Sequence, residues 1–262
     1  MDSDNSVVVV KVENPFKRKL EDISGVVDSI ADNWMCPITL ELPIDPVTAE
    51  DGKIYERSAI EKWLRLKRRR VTSPCTNNPM GRRLLPATQA KSTIEALVKS
   101  GAVSDDKAKA WKAKLENEKK VKNWREAAEG GDADAMLKLA RSYTWGDNGL
   151  PKDRKQAREW LKRGAELGDV TCMGFYGRSL LRDLGGDVVS ALGLFYTSRA
   201  AQGGSCLSHL MLGQGFAKGT FGLPQDAAQA RVWLTKVITE DSYQRRIDRA
   251  EALLAELPPM YA

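Results

Sequence analysis

Three stretches of this chain repeat one pattern, and a repeat of this length constrains the fold more than any other feature of the sequence. Ala128-x-x-Gly131-x-x-x-Ala135-x-x-x-Leu139-x-x-x-Tyr143 returns as Ala165-x-x-Gly168-x-x-x-Cys172-x-x-x-Tyr176-x-x-x-Leu180 and as Ala201-x-x-Gly204-x-x-x-Ser208-x-x-x-Leu212-x-x-x-Phe216. The step is 37 residues from Ala128 to Ala165 and 36 from Ala165 to Ala201. Further on in each unit a large aromatic recurs as Trp160, Tyr196 and Trp233, with a small residue three positions earlier at Ala157, Gly193 and Ala230. Spacing of four places the first set on one helix face, and the small positions let a partner helix approach closely. Each unit is thus a pair of antiparallel helices. Gly149-Leu150-Pro151-Lys152-Asp153 joins them in the first unit and Gly222-Leu223-Pro224-Gln225-Asp226 in the third, whereas the second offers only Gly185-Gly186-Asp187-Val188-Val189. A lone helical hairpin cannot bury its apolar face, so three of them stack into an all-α solenoid over 124–240, with 241–262 as a capping helix and tail. Cys172 occupies the small position shared with Ala135 and Ser208 and reads as packing.

The 123 residues before the solenoid have a different texture. Residues 1–29 are polar, lack an apolar period and are expected to be disordered; Lys17-Arg18-Lys19 is an import-signal candidate, with a solvated charge cluster as the favoured account. Within 30–102, Val47-Thr48-Ala49 and Ile54-Tyr55 flank Asp51-Gly52, which predicts a small β-hairpin. Ser58-Ala59-Ile60-Glu61 predicts a capped helix running to about Lys67, with Ile60, Trp63 and Leu64 on its apolar face. A loop holding Ser73-Pro74, Pro79 and Gly81 leads to Leu84-Leu85-Pro86. A second capping box at Ser92-Thr93-Ile94-Glu95 then opens a helix with Ile94, Leu97 and Val98 inward and Gly101 as its stop. Hairpin plus helices in about seventy residues make a small α+β domain. Residues 103–123 read as a charged linker helix with a sparse face of Ala108, Trp111 and Leu115.

Charge and cysteine usage exclude several classes. Of 262 residues, 41 are Lys or Arg and 35 are Asp or Glu, a net charge of +6 with both signs interspersed, which disfavours a dedicated nucleic-acid binder. The run Arg65-Leu66-Lys67-Arg68-Arg69-Arg70 could attract RNA, DNA or an acidic protein, but a solvated helix end is the leading account. The four cysteines form no C-x-x-C pair and His209 is the single histidine, so a structural zinc has no ligand set; no metal and no cofactor are expected. Cys36 has no base near it in sequence and reads as a buried structural thiol rather than a nucleophile. His209 is structural or solvent-facing. With no signal-peptide core and no membrane span, a reducing cytoplasmic or nuclear compartment is expected.

Two family resemblances follow from these motifs. Cys36-Pro37-Ile38-Thr39-Leu40-Glu41, Asp45-Pro46-Val47, Asp51-Gly52-x-x-Tyr55-Glu56-Arg57, Ile60-x-x-Trp63-Leu64, Ser73-Pro74-x-Thr76-Asn77-x-Pro79-Met80 and Leu85-Pro86, in this order, resemble the U-box family over 30–102. The pattern in 124–238 is similar to Sel-1-like repeats of the tetratricopeptide superfamily, whose units carry an Ala-x-x-Gly helix start and a Gly-(Val/Leu)-x-x-Asp loop. The first resemblance implies a RING-like ubiquitin ligase module in which polar side chains and backbone hydrogen bonds replace zinc. It implies an apolar groove for a ubiquitin-conjugating enzyme, carried over to Ile38, Leu40, Trp63 and Pro74. It further implies a polar positioning residue at Asn77 that hydrogen-bonds the conjugating enzyme and its thioester-linked ubiquitin. Many members have Arg or Lys at that position; Asn77 offers only neutral bonds, roughly half as strong.

Each of these residues also has a plain reading: Ile38 and Leu40 as core, Trp63 as a structural face residue, and Pro74 and Pro79 as loop stiffeners. The reading they favour jointly is a ubiquitin-protein ligase without a covalent intermediate of its own. It recruits the charged conjugating enzyme through 30–102, and its repeats hold a protein substrate or adaptor while the linker keeps them apart from that domain. A homodimer is compatible with the pattern. The rival is a non-catalytic interaction scaffold with a degenerate U-box; a weaker one is a nucleic-acid-associated factor.

Overall fold

The computed structural model describes residue 25 and residues 28–67, 70–182 and 186–259, with only the backbone over 186–189. Of the segment 1–29 expected to be disordered, Gly25, Asp28 and Ser29 are described and are helical, against that expectation, with Asp28 held by Lys107; the rest of it, Lys17-Arg18-Lys19 included, lies outside the described residues, as do Arg68-Arg69 and Gly185. Two compact units divide the chain, within Met1–Glu116 and Asn117–Ala262.

In the first unit, strands β1 (Pro46–Ala49), β2 (Ile54–Glu56) and β3 (Leu84–Pro86) form an antiparallel sheet of order β2-β1-β3. The hairpin is the expected one: Val47 faces Tyr55, and Gly52 takes φ 75°, the left-handed value a tight turn needs. Strand β3, where Val47 also faces Pro86, was not expected from the sequence. It has three residues and ends in a proline, which an edge strand tolerates because its outer side needs no donor.

Helix α1 (Arg57–Leu66) and helix α2 (Thr88–Ser100) follow β2 and β3 directly. Neither expected capping box forms. Glu56 precedes α1 without a side-chain cap, because its carboxylate is drawn away to accept from the Ile44 N–H at 2.8 Å; Ser58 lies inside the helix. Helix α2 starts four residues before Ser92, whose hydroxyl donates back to the Thr88 carbonyl at 3.1 Å. Gly101 ends α2 at φ 70°, as expected.

Helix α3 runs from Asp105 to Glu129, past the expected end at Asn123. Its first three turns belong to the first unit. Ala108 and Trp111 are buried among Leu42, Ile44, Ile94, Val98 and Val103, with Leu115 packed against them, and the Trp111 indole N–H donates to the Pro43 carbonyl at 3.2 Å. Lys107 holds Asp28 at 2.9 Å and Asp32 at 2.7 Å, and Lys114 pairs with Glu41. The sparse apolar face read as a linker is therefore a wall of the first unit's core.

The second unit is three helical hairpins and a cap: α4 (Ala133–Trp145) with α5 (Arg154–Glu166), α6 (Val170–Arg182) with α7 (Gly186–Gln202), α8 (Cys206–Lys218) with α9 (Ala227–Glu240), then α10 (Gln244–Ala255). Each helix packs on its successor, and α4, α6, α8 and α10 also pack side by side. The i, i+4, i+8 sets are inward as expected: Ala135, Leu139 and Tyr143 are buried, as are Cys172, Tyr176 and Leu180.

The Ala-x-x-Gly motif, however, is a helix end. The Gly131, Gly168 and Gly204 N–H groups donate back to the Ala128, Ala165 and Ala201 carbonyls, with φ between 86° and 94°. The next residue caps the following helix: Asp132 accepts from the Asp134 and Ala135 N–H groups, Asp169 from Cys172, and Ser205 from Ser208. Both Gly-Leu-Pro loops end on an N-cap aspartate, Asp153 and Asp226.

Close approach is built from small residues. A Cβ on Gly177 would stand 2.4 Å from Thr197 Oγ1 and 2.9 Å from the Gly193 carbonyl. Cys172 is fully buried against Gly164, and burial pushes its thiol pKa up, far from reactivity. His209 is buried too, with Nε2 2.9 Å from the Ala201 carbonyl and its ring 5.5 Å from that of Trp233, which settles its role as structural.

Candidate functional site

Two loops and one helix of the first unit carry the candidate residues. The first loop leaves buried Cys36 and closes on itself: the Leu40 N–H donates to the Cys36 carbonyl at 2.8 Å and the Cys36 N–H to the Glu41 carbonyl at 3.0 Å. This tight loop forces Leu40 to φ 56° and leaves it 71% exposed. Such exposure of a strained, bulky side chain is not a core role. Ile38 is half-buried and packs on the cluster of Cys36, Val47, Ala49, Tyr55, Ile60 and Leu64. Trp63 packs on the same cluster from α1.

The second loop, residues 71–80, is a narrow hairpin-like turn in which Thr72 and Pro79 form a bridge and Ser73 N–H donates to the Asn78 carbonyl at 2.9 Å. The Trp63 indole N–H donates to the Thr72 carbonyl at 2.8 Å and ties α1 to this loop, while the Lys67 ammonium sits 4.7 Å from the centre of the indole. Pro74 is half-buried next to Ser73. Asn77 stands exposed at the tip with φ 58°, a conformation asparagine tolerates better than most, and its N–H donates to the Ser73 carbonyl at 3.0 Å. Ile38 and Trp63 thus share one patch of core, Pro74 and Asn77 ride on the loop that Trp63 anchors, and Leu40 projects from the other loop.

What holds the second loop is a polar network. Asp51, at the β1–β2 turn, accepts from the Ser73 hydroxyl at 2.6 Å and the Tyr55 hydroxyl at 2.7 Å on one oxygen, and from the Lys53 N–H at 3.0 Å on the other. The Ser73 hydroxyl in turn accepts from the Cys75 and Thr76 N–H groups, each at 3.1 Å. Burial drives the Asp51 pKa up, but the bonds from Ser73, Tyr55 and Lys53 outweigh it and hold the carboxyl below its ordinary value. Tyr55 is pushed up by burial first, then by its contacts with Cys75 and Asp51. Glu50 takes the Gly81 and Arg83 N–H groups, both at 3.0 Å, and Arg82 donates to the Leu64 and Lys67 carbonyls at the end of α1. Among the described residues no three His, Cys, Asp or Glu side chains cluster as a metal site.

Sequence reasoning noted Asp51 only as a turn residue and assigned no such part to Ser73, Tyr55, Glu50 or Arg82. The signal was weak: polar residues beside Gly52, Pro74 and Gly81 mark turns, and nothing in a linear pattern pairs positions 22 or 31 apart.

Comparison with known proteins agrees with this architecture. The U-box domain family matches residues 30–102, and the Sel1 repeat family matches 133–169 and 207–238. The chain is 47% identical over 64 residues to WD repeat, SAM and U-box domain-containing protein 1 of Homo sapiens, covering 23% of this chain and 13% of that protein. It is 39% identical over 87 residues to the Danio rerio protein of the same name, covering 32% and 18%. It is 38% identical over 69 residues to E3 ubiquitin-protein ligase SPL11 of Oryza sativa subsp. japonica, covering 26% and 8%. The chain therefore spans less than a fifth of the length of these curated relatives. Among solved structures, the Sel1 repeat protein from Oxalobacter formigenes matches with a TM-score of 0.41 at 28% identity, over 45% of this chain and 88% of that one. Residues 30–102 are a U-box domain, and residues 133–169 and 207–238 are Sel1 repeats.

Proposed function

We propose that the protein is a ubiquitin-protein ligase. The U-box docks a ubiquitin-charged conjugating enzyme on Ile38, Leu40, Trp63 and Pro74, Asn77 steadies the charged complex, and the Sel1 repeats hold a protein substrate or adaptor. The substrate lysine amine attacks the thioester carbonyl of ubiquitin; an isopeptide bond forms, the carbon–sulfur bond breaks, the thiolate stays on the conjugating enzyme and the amine proton is released. This chain supplies proximity and a restrained geometry and forms no covalent bond. Cys36 is buried, and the exposed Cys75 thiol faces only the Tyr55 hydroxyl at 3.2 Å, which offers no base to make it a carrier.

The observation that carries this reading is a pair of loops on one core cluster, the second tied to α1 by Trp63, with Leu40 exposed and strained at one loop tip and Asn77 exposed at the other. A panel of charged conjugating enzymes incubated with the full chain tests it. Chain formation with at least one enzyme, lost in Ile38→Ala and Leu40→Ser while both variants stay folded, is the expected result. Asn77, which carries no positive charge, favours one rival: a scaffold that binds without promoting transfer. Absence of chains with every enzyme that nevertheless binds would establish the scaffold instead.

A further inference from the structure

The first helices of the repeats carry a cluster of guanidinium groups that the ligase chemistry does not use. Arg141 on α4 and Arg178 on α6 occupy the same repeat position, 37 residues apart, and the third occupant 36 residues on is Gln214. Both arginines converge on one ring: their guanidinium carbons lie 5.7 Å and 4.8 Å from the centre of Phe175. Arg182 stands one turn beyond Arg178 on α6, and Trp145, one turn beyond Arg141 on α4, is 72% exposed. Because α4 and α6 pack side by side, these residues form one patch.

Counter-charge is absent from the patch among the described residues. Among the described residues no carboxylate pairs with Arg141, Arg178 or Arg182, and the one neighbouring ion pair, Asp241 with Arg246, is already closed. Arg178 is half-buried, and its guanidinium is pushed down by burial first and then by the like charges of Arg182, Arg246 and Arg141. Leaving a desolvated cation beside three others is unfavourable unless an anion arrives. A planar fork held on an aromatic face is also preorganised for a carboxylate.

We propose that the Arg141, Arg178 and Arg182 patch, with Phe175 and Trp145, docks an acidic protein segment whose Asp or Glu side chains alternate with apolar ones. Carboxylates pair with the guanidinium forks, and an apolar side chain covers the Trp145 ring. Charge complementarity selects this occupant. A nucleic-acid strand gains affinity from phosphate after phosphate along a basic track. Here the track ends at Gln214, and Lys218, on the next first helix, is occupied by Glu256 at 3.5 Å.

The proposal rests on the reading of the repeats as the partner-binding half. Its test uses the full chain and a fluorescein-labelled nine-residue peptide of alternating Glu and Leu, measured by anisotropy beside a Lys/Leu peptide and a nine-nucleotide RNA. The expected result is saturable binding of the acidic peptide alone, weakened about tenfold or more in Arg141→Gln/Arg178→Gln/Arg182→Gln. A control with the same charge change on α5, Arg154→Gln/Lys155→Gln/Lys162→Gln, should bind as the parent does, and thermal melts should show all three chains folded. No binding, equal loss in both variants, or preference for the RNA would each overturn the proposal. Those outcomes leave the broader reading intact, which falls instead if photocrosslinking of the full chain maps every partner outside 117–262.

Discussion

In the U-box unit, side chains reach across 12 to 33 residues of sequence to hold backbone, Glu56 to Ile44, Glu50 to Gly81 and Arg83, Arg82 to Leu64, or another side chain, Asp51 to Ser73. In the repeats the long-range order comes from apolar packing, and polar side chains mostly cap the helix next to them. Leu139, Leu234 and Leu253 are fully buried, while Gly164, Gly177 and Gly213 let helices touch backbone to side chain. The difference follows from what each must display. In the proposed function the U-box loops leave apolar surface such as Leu40 open for a partner, and the second loop is fixed by directed bonds rather than by burial. A helical stack holds its shape through repeated contact and leaves its outer positions free to vary.

The comparison yields predictions of decreasing size. Leu234→Ala should cost about 2–5 kcal/mol by opening a cavity. Hydrogen exchange on the full chain should then accelerate in 117–262 and leave 30–102 protected. Equal acceleration in both regions would mean that the two units unfold together.

Asp51→Ala should act in the opposite place. It removes the acceptor of the buried Ser73 hydroxyl, at about 1–3 kcal/mol, and leaves Tyr55 only the Cys75 thiol. Exchange should quicken in 71–80 and transfer should slow. The same residue sets an acid limb. Because the folded carboxyl has a lowered pKa, its contribution is complete above the unfolded value near ~4 and fades as pH falls through the folded one. Acid titration of the parent should therefore show a loss of U-box protection below about pH 4 that Asp51→Ala lacks.

Gly177→Ala pits about 1 kcal/mol of helix propensity against roughly 1–3 kcal/mol of overpacking with Gly193 and Thr197. A net loss of about 1–2 kcal/mol in the chemical denaturation of the repeats is expected. A gain would show that α6 and α7 can separate at little cost. Leu40→Ser should move stability by less than about 0.5 kcal/mol yet abolish conjugating-enzyme binding in a titration of the full chain. A large fall in melting temperature would return Leu40 to a structural role. Smallest of all, a strong chelator should leave the U-box melt unchanged, and a shift of many degrees would expose a metal that the polar network was thought to replace.

Much of the repeat half was legible because its evidence is periodic. Three occurrences of one spacing identified the inward residues, and the structure changed the reading of Ala-x-x-Gly, whose glycine closes one helix before Asp132, Asp169 or Ser205 opens the next, and of the second unit's expected loop, where Gly186–Val189 already belong to α7. In the U-box the hairpin at Gly52 and the inward faces of α1 and α2 were equally plain. Both capping boxes were misread, since Glu56 was engaged by Ile44 and α2 began on the heels of β3. Leu40 could not be told from a core leucine until the loop around it closed at φ 56°.

By itself, then, the sequence determined the two kinds of fold, the hairpin turn, the helix faces and the number of repeats, because the turn and faces rest on neighbours within one or two turns of chain and the repeats on the recurrence of such a pattern every 36 to 37 residues. Only the tertiary structure decided that Trp111 belongs to the U-box core, that Asp51 and Ser73 fasten one loop to another, that Leu84-Leu85-Pro86 is a strand, and that Arg141 and Arg178 meet over Phe175. Those contacts join residues far apart in sequence, and their energy depends on burial and on hydrogen-bond direction. Neither quantity exists until the chain has folded back on itself.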